Sequence, residues 1–283
     1  MINGNPIEKT KGPCLILAGA GTGKTYTIVE KVKHMIDAGI YKPERIVCIA
    51  FSNEAANNLY IRIGKATGLE VGNGKTGIIV RTFHGFCADL LRKYGDKIGM
   101  QKEFKILDPD QAKVVLHRNL KVNVNECHQY IGTIGTAKDL GIKLEEFEEY
   151  LQRKLSKYGG VDLQRRLESL QFELQTMHLK SDSQGKQDIF KQIKRLRDLI
   201  NVRKFVNSWR AYEKLKQKNN YQDYSDLNKN ALLLLEKCPE IALDFDYIIV
   251  DEFQDTNKVQ LDLICKLVRS GNITVVGDLN QSI

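Results

Sequence analysis

The segment CLILAGAGTGKTYTIVEKVKHMIDAG, Cys14 to Gly39, leaves a fold few options. An apolar run, a loop of small residues ending in Gly-Lys-Thr and an amphipathic stretch predict strand, phosphate-binding loop and helix in direct succession. Gly39 supplies the expected helix stop. The loop itself, Ala18, Gly19, Ala20, Gly21, Thr22, Gly23, Lys24 and Thr25, carries alanine where the first glycine usually stands. Small residues let backbone N–H groups surround phosphate oxygens, and the N-terminus of the following helix adds favourable potential. In that setting Lys24 is expected to reach the terminal phosphates of a nucleotide and Thr25 to ligate Mg2+.

Four further β-branched runs predict buried strands: IVCIAF from Ile46, IIVRTF from Ile78, YIIVDE from Tyr247 and ITVVGD from Ile273. Continuous apolar runs of this kind suit a parallel sheet covered on both faces. Between about Asp108 and Asn219 the pattern gives way to amphipathic stretches such as EEFEEYLQRKLSKY and DIFKQIKRLRDLINVRKFVNSW, which predict helices. The expected architecture is α/β, a parallel sheet with helices on both faces over residues 1–107 and 220–283, interrupted by an all-helical insertion over 108–219. Trp209 is expected to pack rather than to bind.

Charge is unevenly placed. The chain carries +8, yet Leu151 to Lys218 holds 17 Lys and Arg against 7 Asp and Glu, a balance of +10 that leaves −2 for the rest. Two readings stand for this segment: a face toward nucleic acid, where lysine and arginine gain affinity by releasing counterions, or solvated helices. No apolar run approaches the ~20 residues needed to span a bilayer, and a cytoplasmic location is expected. The six cysteines stand singly, without Cys-x-x-Cys spacing, and are expected to be buried free thiols.

The second chemical constellation is YIIVDEFQDTN, Tyr247 to Asn257. A buried strand ending in two carboxylates would deliver Asp251 to the sheet edge, where it can hold Mg2+ beside Thr25. Glu252 would then lie near the terminal phosphate, placed to orient or deprotonate water. The alternative is an acidic pair that merely caps a helix.

Together, AGAGTGKT, DEFQDTN and the closing GDLNQSI resemble the UvrD/Rep/PcrA family of superfamily 1 DNA helicases. AFSNEAANNL resembles that family's motif Ia, RTFHGFCADLLR its motif Ib, and DYSDL its acidic motif before the second acidic strand. The resemblance implies a RecA-like P-loop NTPase lobe (subdomain 1A) with a helical insertion (subdomain 1B), followed in the family by a second RecA-like lobe; the chain is expected to stop at that lobe boundary and to be poorly active alone. The implied activity is ATP- and Mg2+-dependent movement 3′ to 5′ on single-stranded DNA and at duplex/single-strand junctions, in repair, replication or recombination. A helicase-nuclease subunit of the RecB/AddA type and a nucleotide-dependent DNA-binding switch without motor activity are the alternatives.

By the same resemblance Lys24, Glu252 and Gln281 would be catalytic, Asp251 and Thr25 would hold the metal, and Gln281 would sense the γ-phosphate. Phe51, Ser52, Asn53, Thr82, Phe83 and His84 would line the DNA groove. Read without the family, Phe83 is a core residue and His84 a structural histidine. Several positions depart from the family: Glu54 stands where lysine is common, Asn3 near the adenine-reading glutamine, Leu279 and Asn280 where an acidic pair is frequent. Tyr26 replaces an arginine and either stacks on the nucleotide or packs on its helix.

Overall fold

The computed structural model describes residues 5–19, 21–69, 71–72, 77–159, 161–176 and 183–278. The chain forms two compact units, one of residues 1–106 and 222–283, the other of residues 107–221. In order, the first unit contains β1 (Pro13–Leu17), α1 (Lys24–Asp37), β2 (Ile46–Ala50), α2 (Asn53–Thr67), the two-residue β3 (Val71–Gly72), β4 (Ile78–Thr82) and α3 (Phe83–Tyr94). At β5 (Lys105–Leu107) the chain leaves for the second unit, made of α4 (Pro109–Leu120), α5 (Val124–Asp139), α6 (Leu144–Ser156), α7 (Leu163–Thr176) and α8 (Ser183–Asn219). It returns at β6 (Tyr221–Asp223) and finishes the first unit with α9 (Tyr224–Lys237), β7 (Tyr247–Val250), α10 (Lys258–Leu267) and β8 (Ile273–Gly277).

The first unit is built on a parallel sheet of order β1-β8-β7-β2-β4-β3. Its central strands are buried on both faces, and their alternation divides the unit into two cores. Val47, Ile49, Ile248 and Val250 join side chains of α3, α9 and α10, including Phe86, Leu234 and Leu263. Ile46, Cys48, Tyr247 and Ile249 join Ile28, Val32 and Met35 of α1 and Leu59 and Ile63 of α2. A one-residue slip of β2 would exchange both sets at once. With each buried aliphatic side chain contributing roughly 1.5–3 kcal/mol, the register is firmly set.

β1 departs from the two-faced pattern expected of it. Cys14 and Ile16 are buried, but Leu15 and Leu17 are 49% and 50% exposed, because β1 is the edge strand of the sheet. The cysteine expectation also needs correction: Cys14, Cys48, Cys87 and Cys127 are buried, whereas Cys238 is half-buried and Cys265 exposed on the outer face of α10.

The helical unit has its own core, in which Trp209 is 1% exposed and packs edge-on against Phe147 and at a tilt against Phe205. The Trp209 indole N–H donates to Glu213 at 3.1 Å. Part of its positive charge is spent internally, in Lys204–Glu126 (2.8 Å), Arg210–Glu148 (2.7 Å) and Lys138–Glu213 (2.8 Å). Along α8, Ile193, Leu196 and Leu199 point inward while Lys194, Arg195 and Arg197 are exposed. Among the described residues no helix is long and apolar enough to cross a membrane.

Candidate functional site

Strand register decides what meets at the sheet's C-terminal edge. Leu17 is level with Gly277, Val250 with Val275, Ile49 with Val250, and Ala50 with Thr82. The segments that follow these strands therefore line up in space as Ala18–Gly19 with Gly21–Thr25, Asp278, Asp251–Glu252, Phe51–Asn53 and Thr82–Gly85. With strands spaced by about 4.8 Å, the row from β1 to β4 covers roughly 19 Å. Ligands of open parallel sheets bind along this edge.

At the β1 end, Gly23 has φ +93° and ends the loop at the first turn of α1. A side chain there would be strained, and the left-handed step turns the chain from loop into helix. Lys24 opens that helix, and its ammonium Nζ donates to Glu252 Oε2 at 2.7 Å and Oε1 at 3.0 Å. The pair is partly shielded, with side chains 11% and 29% exposed. Glu252 itself has φ +49° and ψ +48°, a left-handed conformation costing an L residue about 1–2 kcal/mol. Such strain gathers at functional sites because surrounding contacts hold it in place.

Those contacts are specific. Gln254 Nε2 donates to Glu252 Oε2 at 2.9 Å, and Gln254 Oε1 accepts from the Asp278 N–H at 3.1 Å. One amide thus links the acidic turn after β7 to the turn after β8. Gly277 makes the approach possible: a Cβ there would lie 2.9 Å from Gln254 Oε1. Burial pushes the Glu252 carboxyl up, but hydrogen bonds from Gln254 and Lys24 outweigh it and hold the group below its ordinary range. Asp251, 8% exposed, moves the other way: burial, then the neighbouring Glu252 charge, raises its carboxyl above the usual value. Asp251 Oδ1 accepts from the Glu252 N–H at 3.0 Å. A lysine, a backbone-lined glycine loop and a buried carboxylate under like-charge repulsion form a donor set suited to a phosphate and a divalent cation.

At the β2–β4 end lies a cavity of about 440 Å3 lined by Phe51, Ser52, Asn53, Thr82, His84, Gly85 and Tyr224, with Ile106 and Leu227 at its apolar floor. Two helices start here. Ser52 Oγ accepts from Ala55 N at 3.1 Å to cap α2, and Thr82 Oγ1 accepts from Gly85 N at 3.2 Å to cap α3. Both helix N-termini thus bring positive potential to one cavity. Phe51 is 55% exposed, an aromatic face available for stacking. His84 is already stacked on Tyr224, with centroids 4.5 Å apart and planes at 15°, and burial lowers its imidazole pKa.

Of the residues expected from sequence, Lys24, Asp251 and Glu252 meet at one end of the edge, and Phe51, Ser52, Asn53, Thr82 and His84 line the cavity at the other. Thr25 is half-buried in the first turn of α1, and Tyr26 is 62% exposed, with its ring on the outer face of the helix. Phe83 is a correction: it is 4% exposed and packs in the core with Phe86 and Leu227, because helical periodicity turns it inward from the cap at Thr82. Asn3, Ala20, Leu279, Asn280 and Gln281 lie outside the described residues. Sequence reasoning missed Tyr224, which stands in DYSDL far from motif Ib, and it matched Gln254 only to a coupling position of the family, without an individual role. An aromatic residue directly after a capping Asp223 was the available signal for the first.

The profile of the UvrD/REP helicase N-terminal domain matches residues 2–283. The ATP-dependent DNA helicase PcrA of Staphylococcus aureus (strain Mu50 / ATCC 700699) is 29% identical over 289 residues, a match that covers 98% of this chain and 32% of the relative. PcrA of Staphylococcus epidermidis (strain ATCC 12228 / FDA PCI 1200) is 29% identical over 287 residues, with the same 98% and 32% coverage. The chain spans about a third of the length of the curated relatives it matches. With the α/β sheet, the phosphate loop and the acidic turn on one edge, the chain belongs to the UvrD/REP helicase N-terminal domain family.

Proposed function

We propose that this chain is the nucleotide-binding part of an ATP-dependent DNA helicase that moves 3′ to 5′ on single-stranded DNA in the cytoplasm. The sheet unit is its RecA-like lobe (subdomain 1A) and the helical unit its insertion (subdomain 1B), and a second RecA-like lobe completes the machine. The observation that carries this reading is the Lys24–Glu252–Gln254–Asp278 chain of contacts, set on the same sheet edge as the Phe51–His84–Tyr224 cavity. One edge can therefore hold a nucleotide and a DNA strand side by side.

Bound Mg·ATP supplies the transferable phosphoryl group. Lys24 and the backbone of Gly19 to Gly23 hold phosphate, with Ala18, Ala20 and Thr22 completing the loop, and Thr25 and Asp251 hold the cation. Tyr26 borders the nucleotide. Glu252, kept ionised by its hydrogen bonds, orients and deprotonates water. Gln281, by family resemblance, senses the γ-phosphate. A phosphate placed on Lys24 competes with Glu252 for the ammonium, so nucleotide binding releases the carboxylate for that task. The Glu252–Gln254 bond passes the change to Asp278, directly after β8.

Strand displacement by a polypeptide of the relatives' length tests the proposal. Unwinding of a 3′-tailed but not a 5′-tailed duplex, abolished by Glu252→Gln, is expected. Nucleotide-dependent DNA binding with no turnover would make the protein a switch and reject the motor.

A further inference from the structure

Beside the strand cavity lies a second one, of about 320 Å3, that shares Asn53, Thr82 and Gly85 with it. Its new walls are Asn57, Tyr60 and Arg81. Asn53, Asn57 and Tyr60 are spaced i, i+4 and i+7 along α2 and so stand on one face of the helix. From Asn53 to Tyr60 that face runs about 10 Å, near three steps of a stacked strand at ~3.4 Å each. Tyr60 is 40% exposed. Arg81 donates Nε to Asp89 at 2.9 Å and Nη1 to the Val80 carbonyl at 3.1 Å, which fixes the guanidinium and leaves Nη2 for an incoming acceptor.

We propose that this second cavity is an additional subsite for single-stranded DNA, in which Tyr60 stacks on a base, Arg81 holds a phosphate, and Asn53 and Asn57 hydrogen-bond the strand as it leaves Phe51. The subsite rests on the reading of the first cavity as the strand groove. An exposed aromatic ring, a fixed cation and two amides in a row form the combination that binds a single strand without reading its sequence. The lining offers no carboxylate, so the cavity is not suited to a metal; Asp89, which accepts from Arg81, stands outside it.

Fluorescence anisotropy with labelled oligothymidylates of about four and about eight nucleotides separates the two sites. Tyr60→Ala is expected to weaken the longer oligonucleotide roughly tenfold and leave the shorter unchanged, while Tyr60→Phe binds both as the parent does. Arg81→Gln lowers the salt dependence of the longer oligonucleotide by about 0.7 in log–log slope. Phe51→Ala weakens both lengths. If Tyr60→Ala binds the longer strand like the parent while Phe51→Ala weakens both, the subsite is wrong and the groove stands. If the parent binds neither length, the groove reading falls with it.

Discussion

The two ends of the sheet edge solve different problems with the same architecture. At the β1–β7 end charged and polar side chains form a chain of contacts: Lys24 on Glu252, Glu252 on Gln254, Gln254 on Asp278, with a strained backbone at Glu252. At the β2–β4 end the first cavity is lined by aromatic and small residues, Phe51 is exposed, and the contacts are the helix caps at Ser52 and Thr82 and the His84–Tyr224 stack. Phosphate chemistry needs charges at set positions, and a low-tolerance network supplies them. Sliding along a strand needs surfaces that accept any base, and rings with small caps supply those. The difference predicts that substitutions at the first end act on turnover and those at the second on strand affinity.

The largest expected effect is at Glu252. Glu252→Gln should lower the rate of ATP hydrolysis by about 10²- to 10⁴-fold while strand affinity, read by anisotropy, stays within twofold or so of the parent. A matching loss of strand affinity would erase the contrast. Next is Phe51→Ala, expected to weaken single-strand binding about tenfold with no change in nucleotide affinity by titration calorimetry. Gly277→Ala probes the network at the first end: its new Cβ would stand 2.9 Å from Gln254 Oε1, so the bond to Asp278 is lost. We expect strand affinity to survive while the rate of hydrolysis drops several-fold, as for a contact worth about 1 kcal/mol.

The smallest effect is a pH dependence of stability. Burial lowers the His84 pKa from 6.5, so in the window below that value the unfolded chain takes up a proton before the folded one. His84 therefore contributes stability above about pH 6.5 that is lost as pH falls toward its folded pKa. Urea denaturation at stepped pH should show that loss, and His84→Gln should flatten it. An unchanged slope in the variant would assign the dependence to other groups.

The phosphate loop and the five main strands were legible because each is a local pattern: an apolar run, then small or acidic residues at its end. What local pattern cannot reveal is pairing across the chain. Tyr224 follows His84 by 140 positions and becomes its stacking partner only because α3 and α9 pack on the same face of the sheet. Gln254 stands in a readable motif, yet its role depends on Gly277 and Asp278, brought alongside by the β7–β8 register. Phe83 failed for the opposite reason, since its place in a motif outweighed a helical phase that turns it into the core.

The central claim is that Lys24 belongs to phosphate and is shared with Glu252. Binding of a fluorescent non-hydrolysable ATP analogue with Mg2+ to the parent chain, Lys24→Met and Glu252→Gln tests it directly. Saturable binding by the parent, lost in Lys24→Met and at least as tight in Glu252→Gln, is the predicted result, because removing the carboxylate frees the ammonium. Binding lost equally in Glu252→Gln, or retained in Lys24→Met, would contradict it.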